Sequence, residues 1–193
     1  AVEAGEKLGF FSENGTGKTT LFRVLTGLTH AQSMHLVFEG KTVSVKDDFV
    51  RLRQRMGYAL QNPEDQIVFS EVLEDVMFGP MNLGMGSREC YDIACLTLDR
   101  LGVFHLRHSL CDTLSGGQKR LVSLAGVLAM NPTVLLLDEP TNDLDDEAIA
   151  HLGRALKEAS PTQIIVSHDR DFLKKLCTRF VTIQDRKIVP TTP

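Results

Sequence analysis

A surplus of positive charge is the first thing this 193-residue chain lacks: 21 lysines and arginines stand against 25 aspartates and glutamates, for a net charge of −4. Neutralising a phosphate backbone needs a basic face that this balance does not supply, so no nucleic-acid partner is expected. A bilayer-length apolar run is missing as well. The longest apolar stretch, Leu121 to Met130, falls far short of the roughly 20 residues that span a hydrocarbon core, so any role at a membrane must come through a partner. Cys90, Cys95, Cys111 and Cys177 show no C-x-x-C spacing, and reduced thiols in a cytosolic compartment are expected. Internal repeats and low-complexity segments are absent, and the length fits one domain able to bury roughly 70% of its unfolded surface without covalent staples.

What is present is an alternation of strand and helix signals. Strands are predicted near Leu8 to Phe11, Met34 to Phe38, Lys41 to Val45, Met56 to Leu60, Val134 to Asp138, Gln163 to Ser167 and Phe180 to Ile183. Helices are predicted over Ser87 to Leu101, Gly117 to Met130 and Glu147 to Ala159, with a further amphipathic helix following the turn after Gln61. Phe10, Phe11, Phe22 and the methionines are expected in packing. This order predicts a sheet with ligand loops at its strand carboxyl ends.

Between the first strand and an amphipathic segment containing Leu21, Phe22, Val24, Leu25 and Leu28 lies Ser12-Glu13-Asn14-Gly15-Thr16-Gly17-Lys18-Thr19-Thr20. Glycines there let consecutive N–H groups turn onto a polyphosphate, the helix N-terminus adds partial positive charge, Lys18 reaches the outer phosphates, and Thr19 can hold magnesium. Ser12 occupies the place of the usual first glycine, which carries a steric cost if that position needs a positive φ.

Two more segments bear on the same chemistry. Thr133 to Pro140 is an apolar strand delivering two acids, Asp138 and Glu139, which successive positions on a strand point in different directions. Asp138 suits a magnesium ion and Glu139 an attacking water. Leu114-Ser115-Gly116-Gly117-Gln118 has the S-x-x-Q spacing of a capping box, and the helix start it caps is also a second anion receptor.

In order along the chain, the phosphate loop, Gln61, Leu-Ser-Gly-Gly-Gln, Leu137-Asp138-Glu139-Pro140, Thr141-Asn142-Asp143-Leu144-Asp145 and Ser167-His168-Asp169 resemble the motif series of ABC-type ATPases. The resemblance implies an α/β fold, a P-loop NTPase (RecA-like) ABC ATPase core with an inserted helical subdomain: one domain over 1–193, with 1–61 and 119–193 as core and 62–118 as helical subdomain and signature. It implies ATP and Mg2+ as cofactors. ATP would be held by Glu13, Asn14, Gly15, Thr16, Gly17, Lys18, Thr19 and Thr20. In trans, a second ABC ATPase chain, as homo- or heterodimer, would contribute its Ser115, Gly116, Gly117 and Gln118. Glu139, His168 and Gln61 would be catalytic; Thr19, Gln61 and Asp138 would serve magnesium; Asp145 would couple the two sites. Family members also place further strands and an adenine-stacking aromatic before the phosphate loop, which Ala1 to Phe11 do not supply.

Leu60-Gln61-Asn62-Pro63-Glu64-Asp65-Gln66, Phe78-Gly79-Pro80 and Asn82-Leu83-Gly84 resemble the ATPases of cobalt-type and energy-coupling-factor importers, with Glu64 replacing an aspartate. That resemblance implies an ATP-hydrolysing subunit bound to transmembrane transporter subunits at the cytoplasmic face of the membrane, powering uptake of a metal ion or vitamin. An alternative comes from Glu139 to Asp145 and Ser167 to Leu173, which resemble ribosome-associated ABC-type translation factors. Those usually carry two modules, whereas each motif occurs once here.

Overall fold

Short apolar runs alternate with longer segments that are apolar on one side, and they form strands and helices in turn. The computed structural model describes residues 1–11, 16–44, 46–159, 162–185 and 187–192. Its strands are Lys7–Phe10 (β1), Leu36–Phe38 (β2), Lys41–Val43 (β3), Met56–Ala59 (β4), Val134–Asp138 (β5), Thr162–Val166 (β6), Arg179–Gln184 (β7) and Lys187–Pro190 (β8). Its helices are Lys18–Leu25 (α1), Lys46–Arg55 (α2), Val72–Asn82 (α3), Ser87–Arg100 (α4), Gly116–Ala129 (α5), Asp146–Glu158 (α6) and Arg170–Leu176 (α7).

Six strands form one sheet in the order β4-β5-β6-β1-β7-β8, parallel throughout except for the β7–β8 hairpin. β2 and β3 form a separate antiparallel pair. Alternation along β5 sends Leu135 and Leu137 to one face of the large sheet and Leu136 to the other. On the first face, Val76 of α3, Leu98 of α4, Leu124 of α5, Leu156 of α6 and Leu173 of α7 join the core. On the second, Phe22 of α1 and Leu52 of α2 pack with Leu8, Phe10 and Val166. Helices therefore cover both faces, as a parallel sheet requires. Two of them, α3 and α4, are inserted between β4 and β5 and lie against α5. Gly79 permits the α3–α5 approach, since a Cβ there would lie 2.6 Å from Met130 Cγ.

The predicted fold class holds, with strand and helix limits displaced by a residue or two. The second strand starts at Leu36 rather than Met34, the third ends at Val43, and the fourth ends at Ala59; Val45 lies outside the described residues. Phe11 and Ser167 fall just beyond β1 and β6. Of the residues expected in core or interface packing, Phe10, Phe22 and Met56 are buried, whereas Met34 and Met81 are 42% and 51% exposed. Three elements were not predicted: α2, α7 and β8. In α2, Leu52 is the one buried side chain among charged neighbours, so its apolar stripe is too thin to register. β8 is mostly exposed and gains its strand geometry from pairing with β7 rather than from a buried face.

Candidate functional site

Val166 of β6 pairs with Phe10 of β1 on one side and Asp138 of β5 on the other, so the carboxyl ends of three neighbouring strands stand level. Open parallel sheets bind ligands at this edge. Beyond it, β1 leads through the glycine-rich loop into α1, β5 into Glu139, β6 into Ser167 and His168, and β4 toward Gln61. Thr16, Gly17, Lys18, Thr19, Thr20, Gln61, Asp138 and Glu139 line a cavity of about 410 Å³ there. Ser12, Glu13, Asn14 and Gly15 lie outside the described residues.

Gly17 precedes α1 with φ 93°, a conformation open to glycine at little cost, and it offers no side chain to cap the helix. The first N–H groups of α1 thus face the cavity side as an anion receptor. Lys18 is buried, and burial pushes its pKa down, opposed by the charges of Glu139 and Asp138. On the strand, Asp138 shares the face of Leu136, which is the face α1 covers. Thr19 Oγ1 accordingly donates to Asp138 Oδ2 at 2.6 Å, and the Tyr58 hydroxyl approaches the same oxygen at 3.5 Å. Burial raises the Asp138 pKa, Glu139's charge adds to the rise, and Thr19, Lys18 and Tyr58 oppose it. Burial, with Asp138 beside it, also raises the Tyr58 pKa, so its hydroxyl stays a proton donor.

Glu139 leaves the strand with φ 51°, a left-handed conformation that costs a non-glycine residue energy and turns its side chain away from that of Asp138. The residue is 4% exposed. Its Oε2 accepts a bond from the His168 N–H at 3.2 Å and meets His168 Nδ1 at 2.8 Å. Its Oε1 is buried with no hydrogen-bond partner among the described residues. Ser167 Oγ pairs with Thr141 Oγ1 at 3.3 Å and accepts from Asp169 N–H at 3.0 Å, tying the segments after β5 and β6 together.

Asp138 and Thr19 supply hard oxygens beside a phosphate-receptive helix start. A small hard cation that completes its shell with phosphate and water needs only one or two such protein ligands. Among the described residues, no group of three or more His, Cys, Asp or Glu is placed to hold a metal ion.

The residues expected to act in trans stand elsewhere. Ser115 forms the expected capping box: its Oγ accepts from Gln118 N–H at 3.3 Å, and its N–H donates to Gln118 Oε1 at 2.9 Å. Ser115 and Gly116 are exposed and are not among the residues lining the cavity. Asp145, expected to couple the two sites, caps α6 by accepting from Ala148 N–H at 2.8 Å and is likewise not among the residues lining the cavity. Two contributors were missed from the sequence, Tyr58 and Arg120. Arg120 Nη2 donates to the carbonyl of Gln61 at 2.8 Å. A hydroxyl inside the apolar strand before Gln61 was the available signal for Tyr58; nothing local marked Arg120.

Comparison with known proteins agrees with this architecture. Residues 1–142 match the family model described as ABC transporter. An ABC transporter ATP-binding protein of Brucella suis, its own assignment provisional, is 43% identical over 190 residues, covering 98% of this chain and 79% of that protein. The energy-coupling factor transporter ATP-binding protein EcfA of Methanothermobacter thermautotrophicus is 36% identical over 192 residues, covering 97% of this chain and 62% of that protein. Among solved structures, CbiO1 from Clostridium perfringens, part of the ABC transporter complex CbiONQ, superposes with a TM-score of 0.83 at 32% identity, covering 97% of this chain and 77% of that one. This chain belongs to the ABC transporter family. It is an ATP-binding domain of the ABC ATPase type, and among its described residues no helix is long and apolar enough to cross a membrane.

Proposed function

We propose that the chain is the ATP-binding and ATP-hydrolysing subunit of a membrane importer of the cobalt or energy-coupling-factor type, powering uptake of a metal ion or vitamin. The observation that carries the chemistry is the meeting of Thr19, Asp138, Glu139 and His168 at one level of the sheet edge. The loop from Glu13 to Thr20 and the α1 N-terminus hold the phosphates. Thr19, Asp138 and Gln61 hold Mg2+, which when bound neutralises charge on the phosphate oxygens. Glu139 orients and polarises the attacking water, with His168 fixing its carboxylate. Positioning and charge stabilisation of this kind suffice for phosphoryl transfer to water.

The Ser115-to-Gln118 helix start, with Ser115 and Gly116 exposed, suits a γ-phosphate presented by a second ATPase chain, giving a head-to-tail homo- or heterodimer with Asp145 coupling its two sites. Importer membership is supported by the EcfA and CbiO1 relatives. Attachment to transmembrane subunits is supported by an apolar patch on and before α3, where Val68, Phe69, Phe78 and Met81 are exposed and the two phenyl rings lie 5.1 Å apart. The chain would then sit peripherally at the cytoplasmic face of the membrane.

The test is purification of the full-length protein from its native membranes in mild detergent, with identification of what travels with it. Small hydrophobic membrane subunits are expected. Ribosomal proteins in the soluble fraction would overturn the importer assignment in favour of a translation factor.

A further inference from the structure

Three side chains on the early turns of α5 grip the segment that carries Gln61. Lys119 Nζ donates to Glu64 Oε1 at 2.6 Å, Arg120 Nη2 to the Gln61 carbonyl at 2.8 Å, and Ser123 Oγ to Gln66 Oε1 at 2.9 Å. Gln66 passes the hold onward, accepting from Leu60 N–H at 3.0 Å and donating to the Tyr58 carbonyl at 3.3 Å. The end of β4 and the turn after it are thereby fastened to the helix that begins at Ser115.

Arg120 also reaches the segment after β5. Its Nη2 lies 3.6 Å from Asp143 Oδ2, and Gly117, one turn earlier, packs so closely that a Cβ would lie 2.5 Å from the Asp143 carbonyl oxygen. Arg120 is 5% exposed, and its Nε is buried without a partner among the described residues. A buried, incompletely satisfied guanidinium is a poor way to gain stability, since a well-packed apolar side chain usually serves as well or better. Its geometry accounts for it differently: one fork touches two segments that flank the nucleotide cavity, from a helix whose own start is exposed.

We propose that Arg120 is a positioning residue that sets the place of Gln61 according to the place of α5, so that engagement of Ser115 to Gln118 by a partner's nucleotide is felt at Gln61. Its loss leaves the phosphate loop intact and lets the Gln61 segment drift, which slows turnover without weakening nucleotide binding. The proposal rests on the role given above to Gln61, and a double-mutant cycle separates the two.

Steady-state ATP turnover of the full-length protein in its native assembly is measured for Gln61→Ala, Arg120→Met and the double variant. Arg120→Met should lower kcat by about tenfold or more. The KM for ATP should stay within about twofold. The double variant should be no slower than Gln61→Ala. Losses that multiply, or wild-type turnover in Arg120→Met, overturn the proposal while leaving Gln61 its role. Wild-type turnover in Gln61→Ala overturns both. Thermal unfolding is followed in parallel; should Arg120→Met fail to fold, Arg120→Lys replaces it in the cycle, keeping the charge without the forked reach, and the same criterion applies.

Discussion

His168 Nδ1 lies 2.8 Å from Glu139 Oε2, and the His168 main-chain N–H donates to that same oxygen. One carboxylate oxygen is thus fixed twice by the second residue after β6, while Oε1 has no partner among the described residues. An oxygen held this way is oriented in advance, and the other is available to a water at the phosphate. Replacing His168 with Ala removes the side-chain contact and keeps the N–H. Single-turnover hydrolysis should slow by about 100-fold, the scale of losing orientation at a reacting atom, with ATP affinity little changed. An unaltered single-turnover rate would show that His168 does not hold Glu139 for catalysis.

Asp138 carries a pKa raised chiefly by burial. Its charged form is therefore disfavoured in the nucleotide-free fold. The resulting cost to stability is absent below the unfolded-chain pKa, grows as pH rises toward the raised folded value, and is complete above it. Asp138→Asn should accordingly raise the unfolding midpoint of the nucleotide-free protein at neutral pH, by about 2–4 °C for each kcal/mol relieved, and should abolish the wild-type decline across that interval. The same variant should lose magnesium-dependent turnover. A lower midpoint at neutral pH would contradict the assigned cost.

Ser115 caps α5 and is not among the residues lining its own chain's cavity. Loss of the hydroxyl in Ser115→Ala should cost about 1 kcal/mol of stability. Nucleotide affinity of the separate chain should be unchanged, because the cavity is intact, while turnover of the dimer should fall. Equal turnover of wild-type and variant dimers would remove Ser115 from the partner's site.

Gly117 has no room for a methyl group, with the Asp143 carbonyl 2.5 Å from where a Cβ would stand. Gly117→Ala should push the segment after β5 away from α5, costing about 1–3 kcal/mol as overpacking does, and reducing turnover. Denaturant unfolding and hydrolysis rates measure the two effects; a variant indistinguishable from wild type in both would show that the segment yields freely.

The legible parts of this chain are those where local pattern and tertiary structure agree. The apolar run of β5 could belong only to a strand covered on both faces, and the acids at its end had to emerge at the sheet edge. Ser115 and Gln118 announced their capping box by spacing alone. Contacts joining distant segments were not legible. Tyr58 meets Asp138 across 80 positions of sequence, and Arg120 meets Gln61 across 59. Nor could the sequence disclose that Glu139 adopts a left-handed backbone, since no glycine or asparagine marks it and the surrounding structure enforces it. α2 escaped for the opposite reason: with Leu52 alone buried, tertiary packing makes a helix of a segment whose own pattern is weak.

The central claim is tested most directly by measuring ATP binding and ATP turnover of the full-length native assembly with Glu139→Gln beside the wild type. Glutamine keeps the shape but not the carboxylate charge, so the account predicts retained ATP binding with turnover nearly abolished. Turnover at the wild-type rate would contradict the assignment of Glu139 as the group that activates water.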